Sequence, residues 1–225
     1  MSAVNEKKVA ALEAVKYIKD GMVVGLGTGS TAFFMIEAIG EMVRNGLKIR
    51  AVATSNETEK LAKKLGVNVI TLAEAKRLDV TIDGADEVDG QFQLIKGGGG
   101  ALLREKIVAH NSDFNIIIAD SSKQVSRLGQ FKLPIETIPF ATQLIIKELE
   151  EMNLHPVQRK QGTDDYKTDE NNDILDIDIW KTDIKLTDLE HQLKNIPGIV
   201  ETGLFLTSTD LVIIGKGAQA TIEEK

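Results

Sequence analysis

The sequence predicts an α/β protein in which helices cover both faces of a mainly parallel sheet. Short apolar runs alternate along the chain with segments whose apolar residues recur every three or four positions, the spacing of a helix. Most of the apolar runs are continuous, which is typical of parallel strands that are buried on both faces. Glycine-rich or acidic loops follow several of these runs. Together these observations favour a Rossmann-like fold with a ligand site at one edge of the sheet.

The composition allows a sizeable core and disfavours several classes of protein. Of the 225 residues, 42% are hydrophobic and 27% are charged, which is ordinary for a globular protein. The net charge of -7 and the aromatic content of 4% argue against nucleic-acid binding. We find neither a signal peptide nor the roughly 20 apolar residues of a membrane span. The chain contains no cysteine, which fits a reducing compartment. We therefore expect a cytoplasmic protein that binds no nucleic acid and no membrane.

In the first part of the chain, helices and strands alternate as a parallel sheet requires. The predicted elements are a helix over 4–19, a strand over 22–25, a helix carrying Phe33 to Ile39, a strand over 49–53, a helix ending at Leu65, strands over 67–70 and 80–82, a helix over 100–110 and a strand over 114–119. Gly21 and Gly66 follow two of these helices as C-terminal stops. Asp83 follows the strand over 80–82, at the sheet edge where such folds bind ligands.

The pattern changes after residue 130. A strand is predicted over 133–138, and Pro139 suits the first turn of a helix that reaches Met152. Residues 174–179 alternate between apolar and polar side chains, as a half-buried antiparallel strand does. This region therefore has the pattern of a small α+β domain.

Near the end of the chain, Thr187 or Asp188 is expected to cap a helix that ends at Asn195. The apolar strand over 211–214 is expected to return to the main sheet. The predicted division is thus a Rossmann-like catalytic domain over 1–130 and 206–225 and a small α+β domain over 131–205.

The loop Gly25-Leu-Gly-Thr-Gly-Ser-Thr31 joins a strand to a helix N-terminus, where backbone N–H groups and the helix dipole favour an anion such as phosphate. A dinucleotide site is the alternative, because Gly27-Thr-Gly-Ser-Thr-Ala32 fits the loose pattern G-x-G-x-x-A. That fold needs an acidic residue at the end of the second strand, where Thr54 and Ser55 stand instead. Their hydroxyls suit phosphate or sugar oxygens. A tight turn without a ligand is the third interpretation.

The segment Asp83-Gly-Ala-Asp-Glu87 has carboxylates close together, but their spacing fails the calcium-loop pattern. The three histidines are far apart in sequence, so we expect no metal site; they are His110, His155 and His191. A solvated acidic loop is the plain alternative, although the position of Asp83 at a strand end favours a site.

The run Lys96-Gly-Gly-Gly-Gly100 leads directly into a helix. Its glycines permit positive φ angles and close backbone approach, and their amides can hold an oxyanion. In the helix that follows, Glu105 has apolar neighbours three and four positions away, which would raise its pKa towards the range of a general base. Arg104 has similarly apolar neighbours, so periodicity alone does not choose between the two, and a surface role for both remains open.

These segments together resemble ribose-5-phosphate isomerase of the A type. The order and spacing of the matching motifs are highly specific and cover most of the chain: Gly25 to Thr31, Ala53 to Ser55, Asp83 to Glu87, Lys96 to Ala101, Leu103 to Lys106, Asp120 to Lys123 and Ile196 to Phe205. The resemblance implies an aldose–ketose isomerase, without a cofactor, that interconverts ribose 5-phosphate and ribulose 5-phosphate. It also implies a homodimer or a tetramer.

The resemblance further implies a role for each matching residue. Glu105 would move a proton between C1 and C2 through a cis-enediolate, and Lys96 with the glycine amides would stabilise the negative oxygen. Asp83 and Asp86 would handle substrate hydroxyls and help to open the sugar ring. The substrate-binding set implied in this way is Lys7, Gly27, Thr28, Gly29, Ser30, Thr31, Asp83, Gly84, Asp86, Lys96, Gly97, Gly98, Gly99 and Lys123.

Two departures from the family pattern fall in the small domain. The family often has Thr-Asp-Asn-Gly-Asn where this chain has Thr168-Asp-Glu-Asn-Asn-Asp173, and Thr202 replaces a usual Asn. The altered turn puts local geometry and subunit contacts in question. The alternative functions are a related sugar-phosphate deaminase, a CoA-transferase-like enzyme and a non-catalytic sugar-phosphate sensor, for which a complete acid/base set would be superfluous.

Overall fold

The computed structural model describes residues 2–225 and confirms the predicted α/β fold. Within that range the seven α-helices are α1 (Ala3–Ala14), α2 (Ser30–Arg44), α3 (Asn56–Lys64), α4 (Leu72–Ala75), α5 (Leu102–His110), α6 (Thr142–Glu151) and α7 (Leu186–Lys194). Short 3₁₀ turns cover Val15–Tyr17 and Ser121–Lys123. No helix in the described range is both long and apolar enough to cross a membrane.

The strands of the described range are β1 (Val23–Leu26), β2 (Arg50–Ala53), β3 (Asn68–Val69), β4 (Val80–Gly84), β5 (Glu87–Val88), β6 (Leu94–Ile95), β7 (Asn115–Asp120), β8 (Leu133–Thr137), β9 (Val157–Gln158), β10 (Lys160–Gln161), β11 (Asp164–Asp165), β12 (Asp173–Ile177), β13 (Ile199–Thr202), β14 (Leu204–Phe205), β15 (Leu211–Lys216) and β16 (Gln219–Glu224).

The main sheet has seven strands in the order β16-β15-β7-β4-β1-β2-β3. All neighbours are parallel except β15 and β16, which form an antiparallel hairpin at one edge. The strand over 211–214 returns to this sheet as predicted. From β1 the chain moves outward to β2 and β3, and it then returns to the other side of β1 with β4. This change of direction opens a crevice at the carboxyl ends of β1 and β4.

Alternate residues of the central strands face opposite sides of the sheet. On one side Val24, Leu26 and Ile82 pack with the apolar faces of α1 and α2. On the other side Val23 and Val52 pack with Val108 of α5 and Ala75 of α4. Both faces are therefore covered, which explains why these strands have continuous apolar runs.

Three smaller sheets complete the structure. The antiparallel sheet β13-β8-β12-β9 forms a second core with α6 and α7, β14-β6-β5 is a three-stranded sheet, and β10-β11 is a hairpin. The antiparallel pairing of β12 was predicted from its period-two pattern. These sheets agree with a small α+β region, while the exact domain boundaries stay a prediction.

Two local expectations in this region are wrong. Pro139 lies outside the helix, because α6 begins at Thr142. The Thr142 hydroxyl donates to the buried Asp173 and lies 2.9 Å from the Thr137 hydroxyl. Likewise Thr187 and Asp188 lie inside the first turn of α7, since the helix begins at Leu186 and no side chain caps it. Thr187 and Asp188 are exposed to solvent on that turn.

Candidate active site

The crevice is built where β4 delivers Asp83 beside the loop that follows β1. Asp83 Oδ1 accepts hydrogen bonds from the backbone N–H groups of Thr28, at 3.1 Å, and Gly84, at 2.7 Å. Gly27 makes this approach possible, because a Cβ atom at that position would lie 2.1 Å from Asp83 Oδ1 and 2.5 Å from its Cα. The glycine is thus required by the packing of the loop against the strand end.

Lys96 joins two carboxylates below the crevice. Its Nζ lies 3.1 Å from Asp83 Oδ2 and 3.3 Å from Glu105 Oε1, and it also donates to the Gly84 carbonyl. The Phe205 ring lies 5.4 Å from the same Nζ and covers it on the apolar side. All three charged residues are buried, so their charges interact more strongly than they would in water.

These contacts shift the protonation of the cluster. Burial raises the pKa of Glu105 to about 8, and the Asp83 carboxylate adds to that rise while Lys96 opposes it. Burial also raises the pKa of Asp83, against the pull of Lys96 and two backbone N–H groups. Burial alone would lower the pKa of Lys96, but Asp83, Glu105 and Asp86 outweigh it and raise that pKa. Glu105 therefore exchanges a proton near neutral pH while Lys96 stays charged.

The structure shows which of Glu105 and Arg104 faces the crevice, a choice that the sequence pattern left open. Glu105 is 5% exposed, lines the crevice, and its Oε2 has no hydrogen-bond partner among the described residues. Arg104 points to the other side of α5, where it pairs with Glu170 and with Asp169 and donates to Asn56. An unpartnered buried carboxylate oxygen is costly, and such groups concentrate at reactive sites.

Thr54 and Ser55 hold the loop rather than a ligand. The Thr28 hydroxyl lies 2.7 Å from that of Thr54 and 2.9 Å from that of Ser55. Both residues are buried, and Ser55 also caps α3 by accepting from the Thr58 N–H. We expected these two hydroxyls to suit phosphate or sugar oxygens. In the structure both contact the Thr28 hydroxyl and so help to hold the loop beside Asp83.

The other end of the crevice is positively charged. Gly29 is the N-cap of α2, with φ of +106°, so the first N–H groups of a 15-residue helix open onto the cleft. Lys7 donates to the Ser30 hydroxyl at 2.8 Å and lies 3.9 Å from Asp120. Lys123 lines the same end. Free helix N–H groups flanked by two lysines suit a phosphate.

Glu6, the neighbour of Lys7, fixes α1 in this position. Its carboxylate accepts from the backbone N–H groups of Gly217, at 2.9 Å, and Ser121, at 3.1 Å, and from the Ser121 hydroxyl. Gly215 lies against this turn so closely that a Cβ atom would be 2.0 Å from the Glu6 carbonyl oxygen. Helix α1 is therefore tied to the hairpin β15-β16, a contact that no sequence pattern indicated.

The glycine run forms the wall opposite Thr28. The Gly98 N–H donates to Asp86 Oδ2 at 2.7 Å, and Gly97 has a φ of +102° that an L side chain rarely adopts. A Cβ atom on Gly98 would lie 2.5 Å from Asp86 Oδ1. The Gly98 backbone and the Asp86 carboxylate thus lie in close contact, and a side chain on Gly98 would displace that carboxylate.

The structure brings almost all of the predicted site residues to one cleft. Its lining consists of Lys7, Thr28, Gly29, Ser30, Thr31, Gly84, Ala85, Asp86, Lys96, Gly97, Gly98, Gly99, Glu105 and Lys123. Gly27 and Asp83 lie directly behind this lining, where they shape the loop and hold Lys96. The described residues include no cluster of three or more metal-ligating side chains.

A buried carboxylate with a pKa near neutrality, a fixed lysine and a cationic end define the site chemically. Such a site can bind a small phosphorylated, hydroxyl-bearing molecule and move a proton on it. The fold and the site therefore define an α/β enzyme of the sugar-phosphate isomerase class.

Comparison with known proteins identifies the family within this class. The family model described as Ribose 5-phosphate isomerase A (phosphoriboisomerase A) matches residues 50–219. Ribose-5-phosphate isomerase A of Listeria monocytogenes serotype 4b (strain F2365) is 50% identical over 214 residues, which are 95% of each chain. The Ruegeria pomeroyi protein of the same name is 49% identical and covers 94% of this chain and 83% of its own length. The chain belongs to the ribose 5-phosphate isomerase A family.

Solved structures agree over the whole chain. A D-ribose-5-phosphate isomerase in complex with phospho-erythronic acid has a TM-score of 0.95 at 38% identity, with 100% of both chains covered. The ribose 5-phosphate isomerase A of Methanocaldococcus jannaschii has a TM-score of 0.94, also at 38% identity and full coverage of both chains.

The altered turn near residue 170 keeps a workable geometry. Asn171 takes the left-handed conformation, with a φ of +61°, which asparagine adopts more readily than most residues. Its neighbour Asn172 donates to the buried Glu136 at 2.9 Å. The turn therefore does without the glycine that the family often has.

Proposed function

We propose that this protein interconverts D-ribose 5-phosphate and D-ribulose 5-phosphate in the non-oxidative pentose phosphate pathway. The observation that carries the proposal is the buried Glu105, which lines the cleft and whose Oε2 has no hydrogen-bond partner among the described residues, while its Oε1 is held by Lys96. The cationic end of the same cleft supplies a place for the phosphate. The isomerase names of the similar proteins support this reaction and give no support to a deaminase, a CoA transferase or a sensor.

The phosphate would bind at the N-terminus of α2. Lys7, Ser30, Thr31 and Lys123 supply donors and positive charge at that end. This local charge allows an acidic protein to attract an anionic substrate. The carbonyl end of the open-chain sugar would then lie between Thr28, the glycine run and Glu105.

Glu105 would act as the general base. Its carboxylate takes the proton from C2 of the aldose, the C2 electrons form the C1–C2 double bond, and the C1 carbonyl oxygen becomes the negative oxygen of a cis-enediolate. The same carboxyl group then returns the proton to C1 while the O2 hydroxyl proton passes to the negative O1, so that C2 becomes the carbonyl carbon and C1 carries the hydroxyl group of the ketose. A pKa near 8 suits a group that both accepts and releases a proton.

Lys96 and the glycine amides would stabilise the enediolate oxygens. The Lys96 ammonium is fixed by Asp83 and Glu105, so it needs no reorganisation when negative charge develops. Asp86 lines the cleft beside the Gly98 N–H and would exchange protons with sugar hydroxyls during ring opening. Asp83 would contribute by holding Lys96 and the Thr28 loop.

The test is an isomerase assay with ribose 5-phosphate on the wild type and on Glu105→Gln. We expect the variant to keep its fold and its affinity for phospho-erythronic acid and to lose at least about a hundredfold in kcat. Arg104→Gln is the matched control on the next residue and should stay within about threefold. Near-normal turnover by Glu105→Gln would refute its role as the base, and an inactive wild type would refute the proposed reaction.

A homodimeric or tetrameric assembly and a cytoplasmic location are also part of this proposal. The assembly rests on the family to which the chain belongs. Light scattering of the purified protein would distinguish a monomer, a dimer and a tetramer. Persistence of activity after exhaustive EDTA treatment would support the expectation that no metal takes part.

A further inference from the structure

The small sheets reach the active site through two side chains that the sequence patterns did not indicate. Arg159 lies between β9 and β10, and Tyr166 directly follows β11, so one hairpin presents both. Arg159 Nη1 donates to the carbonyl oxygens of Gly97, at 2.8 Å, and Gly98, at 3.1 Å. The Tyr166 hydroxyl donates to the carbonyl oxygen of Gly99 at 3.1 Å. Three successive carbonyls of the glycine run are thus held from behind.

The direction of these bonds determines where the amides of the run point. All described peptide bonds are trans, and in a trans peptide the C=O and the next N–H point in opposite directions. The Gly97 carbonyl is held by Arg159, and the N–H of the same peptide unit, that of Gly98, donates to Asp86. The Gly98 carbonyl is also held by Arg159, so the Gly99 N–H points away from it, and no described residue accepts from that N–H.

Arg159 is itself fixed. Its Nε lies 3.0 Å from Asp176 Oδ2 and its Nη2 lies 2.5 Å from Asp176 Oδ1, a two-point pair on β12. The Tyr166 ring lies 5.8 Å from the guanidinium carbon, and the Arg159 side chain is only 15% exposed. A planar guanidinium held in this way has one orientation, which the lysine ammonium would not reproduce.

Close packing shows that the glycine run is shaped to receive this support. A Cβ atom on Gly100 would lie 2.2 Å from the Tyr166 hydroxyl oxygen, and Gly100 has a φ of +76°. The glycine run therefore lines the cleft on one side and packs against the hairpin on the other. Without the hairpin, four consecutive glycines would have many accessible conformations.

We propose that Arg159 and Tyr166 are positioning residues that aim the Gly99 N–H at the enediolate oxygens, since the N–H groups of Gly98 and Gly100 donate to Asp86 and to the Gly97 carbonyl oxygen. This inference rests on the proposed function and deepens it. Neither side chain touches the substrate, and each acts through the backbone of the run. Because an oxyanion is bound mainly as charge develops, loosening the run should lower kcat more than it raises KM.

The test compares Arg159→Met, Arg159→Lys and Tyr166→Phe with Lys160→Met, a control in the same hairpin whose exposed side chain pairs only with Asp165 among the residues described. We expect Arg159→Met to lower kcat by roughly tenfold to a hundredfold, with KM and the Kd for inorganic phosphate within about twofold. Arg159→Lys should recover only part of the loss, and Tyr166→Phe should lose about threefold to tenfold. Lys160→Met should match the wild type.

Unchanged kcat in the folded Arg159 variants and in Tyr166→Phe would overturn the proposal. A parallel loss of phosphate affinity would overturn it as well, because it would indicate a general structural role. If Arg159→Met fails to fold, Arg159→Lys and Tyr166→Phe decide the question.

Failure of the proposed function gives a different result. An inactive wild type would refute the isomerase, and the positioning would then be judged from amide hydrogen exchange of Gly98 and Gly99. Faster exchange in Arg159→Lys than in Lys160→Met would support the positioning, and equal exchange would refute it.

Discussion

Lys96 Nζ lies 3.3 Å from Glu105 Oε1 in a position where both side chains are almost fully buried. One ammonium is shared between two carboxylates, since Asp83 lies 3.1 Å from the same Nζ. Glu105 therefore has less than a full counter-charge, and burial raises its pKa to about 8.

The rate should depend on pH through Glu105. A general base acts only when it has lost its proton, so kcat/KM should rise with pH and level off above about 8, the pKa of Glu105. The measurement is kcat/KM for ribose 5-phosphate between about pH 6 and 9.5. A profile that is flat or falls between about pH 6.5 and 8 would contradict a Glu105 carboxyl that stays protonated up to neutral pH.

Stability should depend on pH in the opposite direction. Between the ordinary glutamate pKa of about 4.3 and the folded value of about 8, the unfolded chain releases a proton that the folded protein retains. The free energy of unfolding should therefore fall as pH rises across that window. Glu105→Gln removes this dependence, and from pH 5 to 8 we expect the wild type to lose on the order of 1–4 kcal/mol relative to the variant.

Urea unfolding at several pH values measures this difference. Glu41→Gln, which changes an exposed carboxylate, is the control and should follow the wild type. A constant difference between the wild type and Glu105→Gln across the window would show that Glu105 titrates at the same pH in both states.

Gly27→Ala should abolish activity and destabilise the protein. The new Cβ would lie 2.5 Å from the Asp83 Cα, which is backbone and cannot rotate away. The loop or β4 must shift, and overpacking of this kind costs roughly 1–3 kcal/mol. Gly90→Ala is the matched control, because a Cβ there meets nothing within 4 Å. Thermal unfolding and the isomerase assay check both variants, and an active Gly27→Ala would contradict the close packing of Asp83 against the loop.

The cationic end should discriminate in favour of the phosphate. Lys7→Gln removes a charge and the donor to Ser30, so we expect the ratio of kcat/KM for ribose 5-phosphate to that for ribose to fall about tenfold or more. Lys8→Gln changes an exposed neighbour and should leave the ratio unchanged. An equal loss with both sugars would place Lys7 at another part of the substrate.

Much of the main sheet could be predicted because its determinants are local. The apolar run ending at Ile82 and the carboxylate that follows are enough to place Asp83 at a sheet edge, and parallel topology brings that edge to the loop at Thr28. The family resemblance, rather than periodicity, singled out Glu105. Burial later distinguished it from Arg104, because the packing of α5 against two different surfaces is a tertiary property.

The rest could not be predicted because it depends on distant contacts. Pro139 has the local chemistry of a helix start, but the Thr142 network moves that start by three residues. Arg159 and Tyr166 flank the polar run Gln161-Gly-Thr-Asp-Asp165, whose residue pattern is that of a turn. They contact the site only when the hairpin folds against the glycine run, which lies more than 60 residues away in sequence.

The tie between Glu6 and Gly217 has a consequence for how the protein is made. These two residues are 211 positions apart, so the helix that carries Lys7 emerges from the ribosome long before the strands that anchor it. Contacts of such sequence separation form late, because a long loop must close first. A nascent chain that stops short of residue 215 contains every side chain of the cleft, but it lacks the Gly217 N–H that holds Glu6 and the Gly215 backbone that packs against α1. Full affinity for phosphate should therefore appear only once β15 and β16 have joined the sheet.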